Sequence, residues 1–122
     1  MRTPHGEFAE YHSSADDLTL VRPENLAASL DALIGILDIV DGDGRWQNLN
    51  PKCEPQLGRR GLYRTTGGTE PGEVDLARLW VLNFSDGKHS LLDIAERAGL
   101  PFAAIAAAAH ELSNANLVKR QV

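Results

Sequence analysis

Cysteine is almost missing from this sequence: Cys53 stands alone. A single cysteine excludes an internal disulfide and a cysteine-rich zinc site, and Cys53 reads as an idle thiol. Long apolar runs are missing too. None approaches the roughly 20 residues that a helix needs to cross a bilayer, so no membrane partner is expected. The opening stretch MRTPHGEFAEYHSS has no apolar core and does not read as a signal peptide. The expected compartment is the cytoplasm. Excess positive charge is also lacking, since the formal net charge is −5 over 122 residues. Nucleic-acid affinity rests largely on phosphate neutralisation by Lys and Arg, so general attraction to nucleic acid is disfavoured. Arg59-Arg60 is too short for a nucleic-acid patch. Gly67-Gly68 lacks the strand–glycine–helix frame and the following Lys of a phosphate loop.

What is present is unevenly placed. Residues 1–41 carry −6, residues 42–71 carry +2 and residues 72–122 carry −1. Residues 1–22 are polar, with scattered aromatics and no helical period. Pro23 opens a helix, with Glu24 in the first turn where the helix dipole favours an anion. Leu26, Leu30, Leu33, Ile34, Leu37 and Val40 recur at helical spacing, which predicts one buried face. Ile36 and Ile39 widen that face beyond what a small unit needs. Asp41-Gly42-Asp43-Gly44 stops the helix. In the next stretch, Pro51 and Pro55 remove backbone donors, so neither helix nor central strand is expected there. Thr66 to Gly72 reads as a turn or linker.

The clearest fold signal lies further on. Leu76 to Phe84 forms an apolar helix, closed by the turn residues Ser85-Asp86-Gly87. Ser90 offers an N-cap, with Asp93 as capping-box partner. Leu91, Ile94, Ala95 and Ala98 share one face, and Gly99 ends the helix. Pro101 suits the first position of a third helix, whose inner stripe is Phe102, Ile105, Ala106, Ala109 and Leu112. Leu62–Arg64 and Leu117–Arg120 are the two short strand candidates, and their pairing would supply a small sheet. Helix, tight turn, helix and a short strand form the pattern of a winged helix-turn-helix. Trp46 and Trp80 read as core or interface anchors.

A helix-turn-helix reads DNA through outward side chains of its second helix. Here those positions are Ala103, Ala104, Ala107, Ala108, His110 and Glu111. None offers the bidentate contact that Arg, Lys, Asn or Gln makes with a base edge, and Glu111 would repel phosphate. Small side chains instead allow another surface to pack closely. Arg59, Arg60, Arg64, Lys119 and Arg120 would lie on the strand side.

One stretch suggests chemistry: Glu10-Tyr11-His12-Ser13-Ser14-Ala15-Asp16-Asp17. The segment EYHSSADDL resembles the last metal-ligand loop of zinc-dependent aminopeptidase-like hydrolases, just before the final helix of the catalytic domain. Val21-Arg22-Pro23-Glu24 and the long helix resemble that final helix. The blocks NLNPKCEPQLGRRGLY and LWVLNFSDGKHSLLDIAERAGL are similar to one bacterial subfamily with an aminopeptidase-like domain and a C-terminal winged helix, some of it linked with polysaccharide biosynthesis. The resemblance spans nearly the whole chain.

It implies a fold that is mainly α with a small β element. The final loop and helix of an α/β aminopeptidase-like domain (1–44) precede a connecting segment with a short strand (45–71) and a winged helix-turn-helix domain (72–122). It implies zinc as cofactor and His12 as a metal ligand, with Asp16 and Asp17 fixing the ligand or its loop. The family's other ligands and its general base lie upstream of the matched segment. A catalytic zinc keeps three protein ligands, so the chain alone is expected not to be catalytic and to act as a C-terminal part of a larger protein. Its expected partner is the remainder of the aminopeptidase-like domain, or a second copy through the 23–41 helix. Two alternatives stand beside this. One is a peptide-binding winged-helix adaptor, to which the pattern around Leu79–Ala95 is also similar and which would act by strand addition at Leu117–Gln121. The other is a DNA-binding transcriptional regulator.

Overall fold

The computed structural model of the chain describes residues 3–4, 6–62 and 72–121. It divides into two compact units, Met1–Asp41 and Gly42–Val122. The first is a series of turns followed by helix α1, Pro23–Gly42. The helix begins and ends as the sequence predicts. Its apolar face does not: no residue of α1 is buried. Leu26, Leu30, Leu33, Ile34, Ile36, Leu37 and Val40 are between 45% and 70% exposed. Periodicity reports that a face is made to be covered; it does not say that the cover lies within the same chain.

The second unit holds the core. Its elements are β1 (Arg45–Asn48), a 3-10 turn (Leu57–Arg60), α2 (Glu73–Phe84), β2 (Asp86–Ser90), α3 (Leu91–Ala98), α4 (Phe102–Asn114) and β3 (Val118–Arg120). Val81 of α2, Leu91 and Ile94 of α3, and Ile105 and Leu112 of α4 meet Leu117, Val118 and Trp46, each 4% exposed or less. The capping box of α3 is complete. Ser90 Oγ accepts from the Asp93 amide at 3.2 Å, and the Ser90 amide donates to Asp93 Oδ2 at 2.8 Å. Gly99 ends α3 at φ 64°, the left-handed region that side chains disfavour. Pro101 sits one place before α4, where its carbonyl accepts from the Ile105 amide at 3.3 Å.

The sheet departs from the sequence-based expectation. Its order is β2-β1-β3. Strand β1, drawn from what reads as a connecting segment, runs antiparallel to both neighbours. Trp46 pairs with Arg120, Gln47 with Lys119 and Asn48 with Val118. The partner of β3 among the described residues is therefore β1; of the expected strand Leu62–Arg64, Leu62 is outside any strand, and Tyr63 and Arg64 lie outside the described residues. The residues read as a turn, Asp86 and Gly87, begin β2. They oppose β1 at Gln47↔Asp86 and Arg45↔Ser90, with an irregularity between. Gly87 permits this at φ 79°, where a Cβ would also lie 2.6 Å from Gln121 Nε2.

Candidate functional site

The His12 loop is held by its own short side chains. Ser13 Oγ donates to the Glu10 carbonyl at 2.8 Å and accepts from the Ala15 amide at 3.2 Å. Asp17 Oδ1 accepts from both the amide and the hydroxyl of Thr19, each at 2.7 Å. The hydroxyl, then the amide, holds the Asp17 carboxyl below its ordinary value. Arg22 Nε donates to the Thr19 carbonyl at 3.2 Å, which ties this turn to the start of α1. Asp17 therefore organises the loop end. His12 is exposed, has φ 56°, and lies with its ring centroid 4.2 Å from that of Tyr11. Phe8 meets Tyr11 edge-on at 5.5 Å. Neither Asp16 nor Asp17 bonds His12 among the described residues.

A zinc ion needs converging ligands. Among the described residues, no three His, Cys, Asp or Glu side chains are grouped as a metal site. His12 with Asp16 and Asp17 thus does not by itself fit zinc.

The helix-turn-helix face is defined by α3 and α4. Ala103, Ala107, His110, Glu111 and Asn114 are exposed, and Ala104 is half-buried. Ala108, expected to face outward, is 2% exposed and belongs to the core. In a run of alanines, apolar periodicity has no polar position to set its phase. The face thus presents alanine methyls near the start of α4, where a DNA reader places its base contacts. Two of the later polar residues, His110 and Glu111, are already engaged. His110 meets the Trp46 ring edge-on at 5.7 Å. Glu111 Oε2 accepts from Arg78 Nη2 at 2.7 Å and from Nε at 2.8 Å.

The basic residues are similarly occupied in part. Arg60 donates from Nε to the Pro55 carbonyl at 3.1 Å and from Nη1 to the Ala115 carbonyl at 3.0 Å. This stitches the 3-10 turn to the end of α4. Arg120 Nη2 donates to the Asp43 carbonyl at 2.7 Å. Arg45, Arg59 and Lys119 are exposed, and Arg64 lies outside the described residues. The strand edge expected to receive a peptide is present as β3, which among the described residues has β1 on one side and no strand on the other.

Sequence reasoning missed Arg78. It is 7% exposed and bonds Asp75 Oδ1 at 3.0 Å, the Leu62 carbonyl at 2.9 Å and Glu111. An Arg at a core-facing position of an apolar helix, three residues after Asp75, was the available signal.

The second unit is a small winged helix, and an amphipathic helix precedes it in the chain. A winged helix-turn-helix family matches residues 44–120, and the chain belongs to that family. A second family, described as a domain of unknown function, matches residues 1–43. A Clostridium acetobutylicum protein, named for polysaccharide biosynthesis and an aminopeptidase-like domain, is 45% identical over 120 residues. That match covers 98% of this chain but 27% of the relative, of which it is a C-terminal segment. A crystal structure from the same organism, named as that of a peptidase, superposes with a TM-score of 0.80 at 40% identity. It covers 93% of this chain and 24% of that one. The chain thus spans about a quarter of the length of these relatives.

Proposed function

We propose that the chain serves as the C-terminal part of a zinc-dependent aminopeptidase-like hydrolase. In this reading α1 and the His12 loop complete the catalytic domain, and the winged helix is a structural or protein-docking module. The observation that carries it is the bare face of α1. Seven large apolar side chains stand 45–70% exposed, whereas the winged-helix unit closes its own core. A contiguous apolar face of this kind marks an interaction surface, and the remainder of the aminopeptidase-like domain is its occupant. His12 supplies one metal ligand from the loop before α1; the chain alone hydrolyses nothing.

The test compares two proteins, the 122-residue chain and the same chain joined to the upstream segment of the Clostridium relative. Calorimetric zinc titration is expected to give no tight site in the first and one or more in the second. His12→Ala in the joined protein should lower zinc content and peptide hydrolysis together. Tight zinc binding by the short chain would overturn the reading, as would normal metal content in the His12→Ala protein.

A second reading, a peptide-binding adaptor, is favoured by one observation: β3 is an edge strand. An added strand would bond the outward amides and carbonyls of that edge. Photo-crosslinking from an extended peptide tests it: crosslinks at Leu117–Gln121 support it, and crosslinks that fall only on α1 would dismiss it.

A further inference from the structure

A half-open cleft of about 390 Å³ lies between the loop after β1 and the C-terminal half of α2. One wall comes from residues between Gln47 and Pro55, which have no part in the proposed hydrolase. Leu79 and Leu82 give it an apolar wall, and its charged lining residues are Glu54 and Asp86, with no Lys, Arg or His. The acceptors here are only partly used. Glu54 Oε1 accepts from the Leu57 amide at 2.9 Å, which leaves its second oxygen. Asn83 Nδ2 donates to the Leu79 carbonyl at 2.9 Å, which leaves its carbonyl oxygen. Asp86 Oδ1 accepts from the amides of Lys88 and His89 at 2.8 and 3.1 Å, which lower its pKa to about 2, and the His89 ring Nδ1 lies 3.1 Å from each carboxylate oxygen.

The independent sign of a ligand is Ser85. It lines the cleft and is 2% exposed, yet its hydroxyl has no hydrogen-bond partner among the described residues. Buried polar groups are nearly always paired, and an exception calls for a reason. The opposite wall is fixed. Cys53 and Gln56 hold φ of 65° and 56°, a conformation uncommon for residues with a side chain, and the buried Leu57 anchors that loop.

We propose that this cleft binds a cationic nitrogen group, an ammonium or guanidinium, carried on a short aliphatic stem. The cation sits against Glu54 and Asp86, the Ser85 hydroxyl and the Asn83 carbonyl complete its hydrogen bonds, and the stem lies on Leu79 and Leu82. This chemistry belongs equally to a basic side chain of a peptide and to a free amine. The inference does not depend on the hydrolase reading, since neither zinc nor an upstream domain enters it.

The test is a titration of the isotope-labelled 122-residue chain, followed by amide and side-chain NMR shifts. The probes are Nα-acetyl-lysine-N-methylamide, putrescine and the uncharged Nα-acetyl-norleucine-N-methylamide. Saturable millimolar shifts are expected at Asn83, Ser85 and Asp86 with the charged probes alone. Tighter binding of the lysine amide assigns a peptide side chain, and tighter binding of putrescine assigns a free amine. Glu54→Gln keeps the oxygen that caps Leu57 and removes the charge; it should weaken binding about threefold, as loss of a half-exposed ion pair does. Ser85→Ala should weaken it as well. Equal shifts with the norleucine amide, no shifts with any probe, or unchanged affinity in Glu54→Gln would each overturn the proposal.

Discussion

Arg78 is charged, 7% exposed, and bonded to two carboxylates and one carbonyl. Its guanidinium holds α2 to α4 through Glu111 and fixes the Leu62 carbonyl. Truncation would leave Asp75 and that carbonyl short of a donor. Breaking a buried pair costs more than a surface pair is worth, so Arg78→Ala should destabilise the winged-helix unit by about 2–4 kcal/mol. Glu111, with its side chain 46% exposed, can turn to water, so Glu111→Gln should cost about 1 kcal/mol or less. Urea midpoints of the two variants check the order. Asp86 gives a pH dependence. Its carboxyl is lowered from 3.8 to about 2, first by the Lys88 amide and next by that of His89. A carboxylate with a depressed pKa in the fold contributes stability above its ordinary value and loses it as pH falls through the folded value. The thermal midpoint should therefore decline between about pH 4 and pH 2, and Asp86→Asn should flatten that decline. A parallel acid limb in wild type and variant would remove Asp86 from the account.

Helix ends were legible where the signals are local. Ser90, Asp93 and Gly99 act within one turn of their own backbone, and the structure realises each of them. Ser90→Ala should cost about 1 kcal/mol through the lost cap, seen as a lower melting temperature with unchanged helical content at low temperature. A change within error would mean that tertiary packing alone fixes the start of α3. Strand β1 was not legible. Arg45-Trp46-Gln47-Asn48 has one apolar residue, and both its partners come from distant parts of the chain, so no short-range pattern marks it. Leu62-Tyr63-Arg64 has the better strand composition, which drew attention away from Arg45–Asn48, the strand that pairs with β3. Likewise Asp86-Gly87 has turn chemistry, and Gly87 uses its positive φ inside a strand rather than between helices. At the candidate site, the sequence indicated the His12 loop through EYHSSADDL. It could not indicate Ser85, whose interest lies in a missing hydrogen bond, nor the Arg78 network, which depends on the packing of α2 against α4.

Charge and apolar surface divide between the two units in a way that bears on what the molecule contacts. Residues 1–41 carry −6, whereas residues 42–122 carry +1, so acidity does not shield the winged helix from nucleic acid as a sum over the chain suggests. Side-chain chemistry does so instead: alanines stand where base contacts would be made, and Glu111 lies beyond them. The opposite holds for α1, whose seven exposed apolar residues face water in a segment rich in acids. Charge repulsion keeps such a face dispersed at low ionic strength, and screening removes that protection, since the Debye length falls to about 8 Å near physiological salt. Association of the isolated chain should therefore rise with salt, the reverse of an interaction held by ion pairs. Leu33→Glu with Leu37→Glu adds charge at the middle of the face and removes apolar area. That double variant should stay monomeric at every salt concentration while keeping the wild-type unfolding of the winged-helix unit, because no α1 residue is buried. Light scattering across a salt series measures both proteins directly. If the double variant associates as the wild type does, the contact surface lies on the winged helix, and α1 is not the face made to be covered.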